Sequence, residues 1–159
     1  QRAILGDVVA ALHLQGIRKL IIVNGHGGNS FKNMIRDLSV DFPDFLIAIT
    51  NWYGIVPQEG YFENKDDHAG EMETSVMMYY HPELVNLEEA GEGASKPFAL
   101  SSLNAQIAWL PRYWSKVSAD TGIGDPRKST PEKGERYAKA VIEKLALLFT
   151  EIGSKEVYL

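Results

Sequence analysis

Cysteine is absent from the 159 residues. This excludes disulfides and thiolate metal sites and leaves His, Asp and Glu to hold any metal. No apolar run approaches the roughly 20 residues that span a bilayer, and Leu20–Val23 is only strand-sized. A secretory signal pattern is missing at the start. A basic stripe is missing as well: 16 Lys and Arg stand against 21 Asp and Glu, a formal net charge of −5. The expectations are no nucleic-acid partner, no membrane partner and a cytoplasmic location. What remains is ordinary for a soluble globular protein, with 45% apolar and 23% charged residues. The length fits one domain, residues 1–159, with a sizeable core.

Periodicity then orders the chain. Ile4, Val8, Ala11 and Leu12 recur at helical spacing through Gln1–Gln15, with Gly16 as a stop. Lys19–Val23, ended by Asn24-Gly25, reads as a buried strand. Asn29 or Ser30 is expected to cap a helix running to about Asp41, and Phe45–Thr50 reads as a second strand. This α-β-α-β order predicts an α/β fold with a mostly parallel sheet covered by helices. His68–Tyr80 reads as a loop entering a helix that stops at His81-Pro82, and Glu83–Pro97 as a polar surface excursion. The aromatic-rich Ala108–Ser118 is expected to contain a strand, and Thr121–Pro126 a loop. Thr130 as N-cap and Pro131 at the first helical position open a last helix. Its apolar stripe is Tyr137, Val141, Leu145, Leu148 and Ile152, closed by Gly153. A domain of this kind usually begins with a strand, whereas this chain begins inside a helix. The expectation is that an N-terminal part is missing, against the plainer reading of a domain that starts with a helix.

Two segments could carry chemistry. Asn24-Gly-His-Gly-Gly-Asn29 follows the carboxyl end of a strand, the edge where open α/β sheets bind ligands. Its glycines let the backbone come close to a ligand, and neutral imidazole is a common metal ligand. A phosphate cradle and a plain strand-to-helix turn compete, though the segment lacks a P-loop Lys-Ser/Thr and the third glycine of a dinucleotide fingerprint. The second segment is Asp66-Asp-His-Ala-Gly-Glu-Met-Glu-Thr-Ser75. His68 and Glu71, three apart at a helix start, can face one way. The crowd of carboxylates calls for a cation, while ordinary helix capping by Asp67, with Glu71 and Glu73 on the helix dipole, competes. Of the four histidines, His13 and His81 sit at helix ends and read as structural. Trp52, Tyr53 and Tyr61 wall a pocket for a small flat substrate or pack under a loop. Trp109, Tyr113 and Trp114 read as core or interface.

These segments, with Thr-Gly-Ile-Gly-Asp-Pro-Arg at 121–127 and Glu132-Lys133-Gly134, resemble in order and separation the creatininase (creatinine amidohydrolase) family. The resemblance implies a three-layer α/β/α sandwich. It also implies a hydrolase that attacks a C–N bond of an amide or cyclic amide with a metal-activated water. The cofactors would be two divalent metal ions: zinc, with manganese or iron at one site. The partners would be a small-molecule amide and other copies of the chain in a homo-oligomer, a hexamer in the family. By the same resemblance His26 is a metal ligand, Gly27, Gly28 and Trp52 bind substrate, and His68 shuttles the proton with Glu73 behind it. In creatininases proper an acidic residue stands where Gly28 stands here, and Glu71 is inferred to supply that carboxylate to the metal. Deformylase and peptidase members share the family, and a non-catalytic module keeping the fold is the reading from another class. The remaining ligands are expected upstream of Gln1, so the chain alone is expected to bind metal weakly and to be inactive.

Overall fold

In a computed structural model, residues 1–64 and 67–158 are described. The chain forms two compact units, Gln1–Pro57 with Val141–Leu159, and Gln58–Ala140.

The first unit follows the expected α-β-α-β order. Helix α1 (Arg2–Leu14) ends before Gly16, whose φ of +82° needs a residue without Cβ. Strand β1 (Lys19–Asn24) leads to helix α2 (Lys32–Asp41) and strand β2 (Leu46–Asn51). The strands pair in parallel from Lys19 opposite Leu46 to Asn24 opposite Asn51. The α/β class and the parallel sheet are therefore as expected. Val9 of α1, Leu38 of α2, Phe45 and Ile47 of β2 make the buried cluster, with Leu5, Leu12, Leu20, Ile22, Ile35 and Phe42 packed on it. The expectation of a fully buried β1 fails: Val23 is 45% exposed, because the sheet has only two strands among the described residues and β1 has one neighbour. The expected cap of α2 also fails. The helix starts after Phe31 with no side-chain cap, since Asn29 spends its side chain on Asn24.

The second unit holds helices α3 (Glu71–Tyr80), α4 (Ser101–Asn104) and α5 (Trp114–Val117) and the start of α6 (Pro131–Ser154). The strand expected within Ala108–Ser118 is instead the short helix α5, and Ser118 only bridges Ser95. Helix α6 begins as its sequence signals, the Thr130 hydroxyl accepting from the Lys133 N–H at 3.2 Å. Its predicted stripe is its inward face: Tyr137 and Val141 are buried and Leu145, Leu148 and Ile152 are half-buried. Gly153 does not close the helix, which runs on to Ser154. Tyr137 is packed edge-on by Tyr61 and Phe62, with ring centroids 5.4 and 5.1 Å away. Among the described residues no helix is long and apolar enough to cross a membrane.

Candidate active site

Parallel pairing brings the carboxyl ends of β1 and β2 level, so the loops after Asn24 and Asn51 leave the sheet side by side. The Asn24 side chain, 3% exposed, is the spool of the first loop. Its amide donates to the His26 carbonyl and to Asn51 Oδ1, both at 2.9 Å. Its Oδ1 accepts from the His26 N–H at 3.3 Å and from Asn29 Nδ2 at 3.0 Å. Trp52 Nε1 donates to the Gly25 carbonyl at 3.3 Å. A Cβ on Gly27 would lie 3.7 Å from the Tyr53 hydroxyl oxygen. The first unit thus gathers His26, Gly27, Gly28 and Trp52 around one loop, which is exposed from Gly25 to Ser30.

The Gly28 N–H donates to His26 Nδ1 at 2.9 Å. A Cβ on residue 28 would sit 2.9 Å from His26 Cε1, so the imidazole in this pose requires glycine there. The bond has a chemical consequence. Neutral imidazole carries one proton, and Nδ1 accepting from Gly28 puts it on Nε2. A metal binding Nδ1 would compete with the Gly28 N–H for one lone pair. A metal binding Nε2 needs the proton on Nδ1, where it would point at the Gly28 N–H. Two-bond ¹⁵N–¹H spectra of the metal-free chain at alkaline pH are therefore expected to show His26 as the Nε2-protonated tautomer. A dominant Nδ1-protonated pattern would contradict the geometry.

The second unit carries His68, Glu71 and Glu73. Asp66 of the motif lies outside the described residues. The His68 backbone is pinned by the Thr121–Pro126 loop: its N–H donates to the Ile123 carbonyl at 2.9 Å and its carbonyl accepts the Ile123 N–H at 2.8 Å. Its ring lies 4.9 Å from that of Trp114. Asp67 does not cap α3, as the competing capping reading had it, but is ion-paired with Arg112, whose guanidinium lies 5.5 Å from the Trp114 ring centroid. Ala69 has φ of +51°, the left-handed region that costs a residue with Cβ about 1 kcal/mol. What holds it there is Glu73, whose Oε2 accepts the Ala69 N–H at 2.8 Å, and Thr74, whose hydroxyl donates to the Ala69 carbonyl at 3.2 Å. Glu73 therefore fixes the helix start behind His68. A cavity of about 340 Å³ opens there, lined by Ala69, Glu73, Thr74, Met77, Leu84 and Leu87 among others. Part of the segment read as a polar excursion thus forms its wall.

Glu71 is fully buried, at 0% exposure. Its Oε2 accepts the backbone N–H groups of Glu63 and Asn64 at 3.0 and 2.8 Å. Its Oε1 accepts from Lys133 Nζ at 2.6 Å. The Glu71 side chain above all, then Glu63, holds the Lys133 ammonium above its ordinary pKa. Glu63 is held below the usual carboxylate range by Lys128 and Lys133. Nearby, the Arg127 guanidinium holds Asp125 down to about 2.

The Glu71 carboxylate, expected to bind a metal, is here engaged on both oxygens. Both Oε2 lone pairs are used, and a divalent ion on Oε1 would stand beside an ammonium already bound to the same atom. His26 fits only after its Nδ1 leaves Gly28 or its tautomer changes. Among the described residues no group of three or more His, Cys, Asp or Glu is placed to hold a metal. Reading from sequence missed Lys133 as the partner of Glu71, and Arg112 and Trp114 as neighbours of the His68 turn. The Glu-Lys-Gly motif held the only signal for the first.

The profile described as Creatininase: Creatinine amidohydrolase matches residues 1–149. The mycofactocin precursor peptide peptidase of Mycobacterium tuberculosis is 30% identical over 137 residues, 79% of this chain and 45% of that protein. A creatinine amidohydrolase of Pseudomonas putida is 22% identical over 156 residues, 88% of this chain and 58% of its own length. The chain thus spans about half the length of the curated relatives it matches. A Bacteroides fragilis crystal structure, provisionally assigned as a creatinine amidohydrolase, superposes with a TM-score of 0.96 at 61% identity, over 100% of this chain and 63% of that one. Solved creatininases sharing the fold include a zinc–zinc and a manganese form. With the profile running from residue 1 to residue 149, the chain belongs to the creatininase (creatinine amidohydrolase) family.

Proposed function

We propose that the full-length protein is a metal-dependent hydrolase of a C–N bond in an amide, with His68 of this chain moving the proton to the departing nitrogen. The observation carrying this reading is the anchoring of the His68 turn. Its backbone is paired on both sides with Ile123, and the following strained residue, Ala69, is gripped by Glu73. Strain of this kind persists where the surroundings over-determine a turn, and it clusters at active sites. Imidazole is the side chain that serves most often as general acid or base, and one group can fill both halves of such a reaction. In this reading Glu73 holds the turn, and Gly27, Gly28 and Trp52 contact substrate. The expected cofactors are two divalent ions, zinc with manganese or iron at one site. His26 is the one ligand proposed from this chain, once its Nδ1 is released from Gly28. A peptide-like or formyl amide is favoured over creatinine by Gly28, which stands where creatininases proper carry an acid. A cytoplasmic homo-oligomer completes the proposal.

A second reading, a non-catalytic module of the same fold, is favoured by the engagement of Glu71 and of His26 Nδ1 within the chain. Elemental analysis of the full-length protein, with peptide, formamide and cyclic-amide hydrolysis assays after zinc or manganese loading, separates the two. Metal-dependent release of an amine or acid is the expected result. Absence of stoichiometric metal together with no turnover on all three substrate classes would establish the second reading.

A further inference from the structure

We infer that Glu71 and Lys133 form a clamp that closes the His68 loop against the start of α6, which makes Glu71 a positioning residue rather than a metal ligand. The inference rests on the proposed function only for the role it gives His68.

Glu63 and Asn64 precede His68 in the chain, and Glu71 follows it. The Glu71 carboxylate ties the two sides together by taking both upstream N–H groups on one oxygen. Its own carbonyl accepts from the Ser129 hydroxyl at 3.2 Å. Lys133 completes the knot. Its ammonium donates to Glu71 Oε1 at 2.6 Å, to the Lys128 carbonyl at 2.8 Å and to Glu63 Oε1 at 3.3 Å, which uses all three of its protons. Lys128 is also ion-paired with Glu63. A carboxylate at 0% exposure must be compensated in place. Here the compensation is complete without a metal: two backbone dipoles and one ammonium. Residues far apart in sequence are thereby fastened at one point.

The test uses the full-length protein with Glu71→Gln, and with Glu71→Met combined with Lys133→Met, an apolar pair that leaves no orphaned charge if the single variant fails to fold. In both, bound metal per chain is expected to match the wild type. Amide exchange at Glu63 and Asn64 is expected to accelerate roughly 10- to 100-fold, the size of a lost hydrogen bond to a charged acceptor. kcat is expected to fall with little change in KM, and the limb of the pH profile that His68→Ala removes is expected to move. Loss of about one metal equivalent per chain in the double variant, or unchanged exchange at both amides, overturns the clamp. Wild-type protein without metal or turnover sinks the proposed function instead, and the exchange measurement still decides the clamp.

Discussion

Replacing His68 with Ala in the full-length protein is expected to lower kcat by about 10²- to 10⁴-fold, the usual worth of a positioned general acid or base. Bound metal and melting temperature are expected to stay near wild type. The asymmetry follows from how the residue is held. Its position in the fold depends on main-chain bonds to Ile123, which Ala makes equally well, and the imidazole itself is half-buried beside Trp114. Truncation therefore removes proton transfer and the Trp114 ring contact while leaving the main-chain anchor in place. The measurement is kcat, KM and metal content on the same preparation. A variant within threefold of wild-type kcat, with metal retained, would remove His68 from the reaction. Loss of metal in parallel with activity would instead make it a ligand.

What the sequence disclosed, and what it withheld, follows the range of the interactions. Helix α6 was legible in full at its start, because Thr130, Pro131 and the Lys133 N–H interact across a few residues and its stripe repeats with the helical period. The parallel pair β1–β2 was legible from its order, yet the burial of β1 was not, since burial depends on how many strands flank it. The cap of α2 was misread because Asn29 and Ser30 have the right chemistry, but Asn29 answers to Asn24. The surroundings of Glu71 show the limit most clearly. Nothing in the local motif announces that a lysine 62 residues away lies on its Oε1. Arg112, 45 residues from Asp67, was invisible for the same reason. Local periodicity carries no record of such pairings, and a family resemblance supplies a site without saying which neighbours each side chain has.

At Gly134 a single added methyl group is expected to damage the fold. In the interior of a helix, Gly→Ala ordinarily stabilises by about 1 kcal/mol through backbone entropy. Here a Cβ would fall 1.9 Å from the Ser75 carbonyl oxygen and 2.9 Å from the Val76 nitrogen, both backbone atoms of α3. Carbon needs roughly 3.5 Å for ordinary contact, so α3 and α6 would have to part by more than an ångström. Along that seam lie Ser75 and Tyr137, both at 0% exposure, and the bond from the Thr130 N–H to the Ser75 hydroxyl at 3.2 Å. Forced separation of a packed seam costs about 3 kcal/mol, which outweighs the propensity gain. The expected net loss of about 2 kcal/mol lowers the melting temperature by roughly 4–8 °C for a chain of this size. Gly153, in the last turn of the same helix with nothing within 4 Å of its added Cβ, is the internal control. Gly153→Ala is expected to leave the melting temperature unchanged or to raise it slightly. Thermal melts of the two variants beside wild type make the comparison. If Gly134→Ala melted as high as Gly153→Ala, the close approach of α3 and α6, and with it the placement of Lys133 on Glu71, would be wrong.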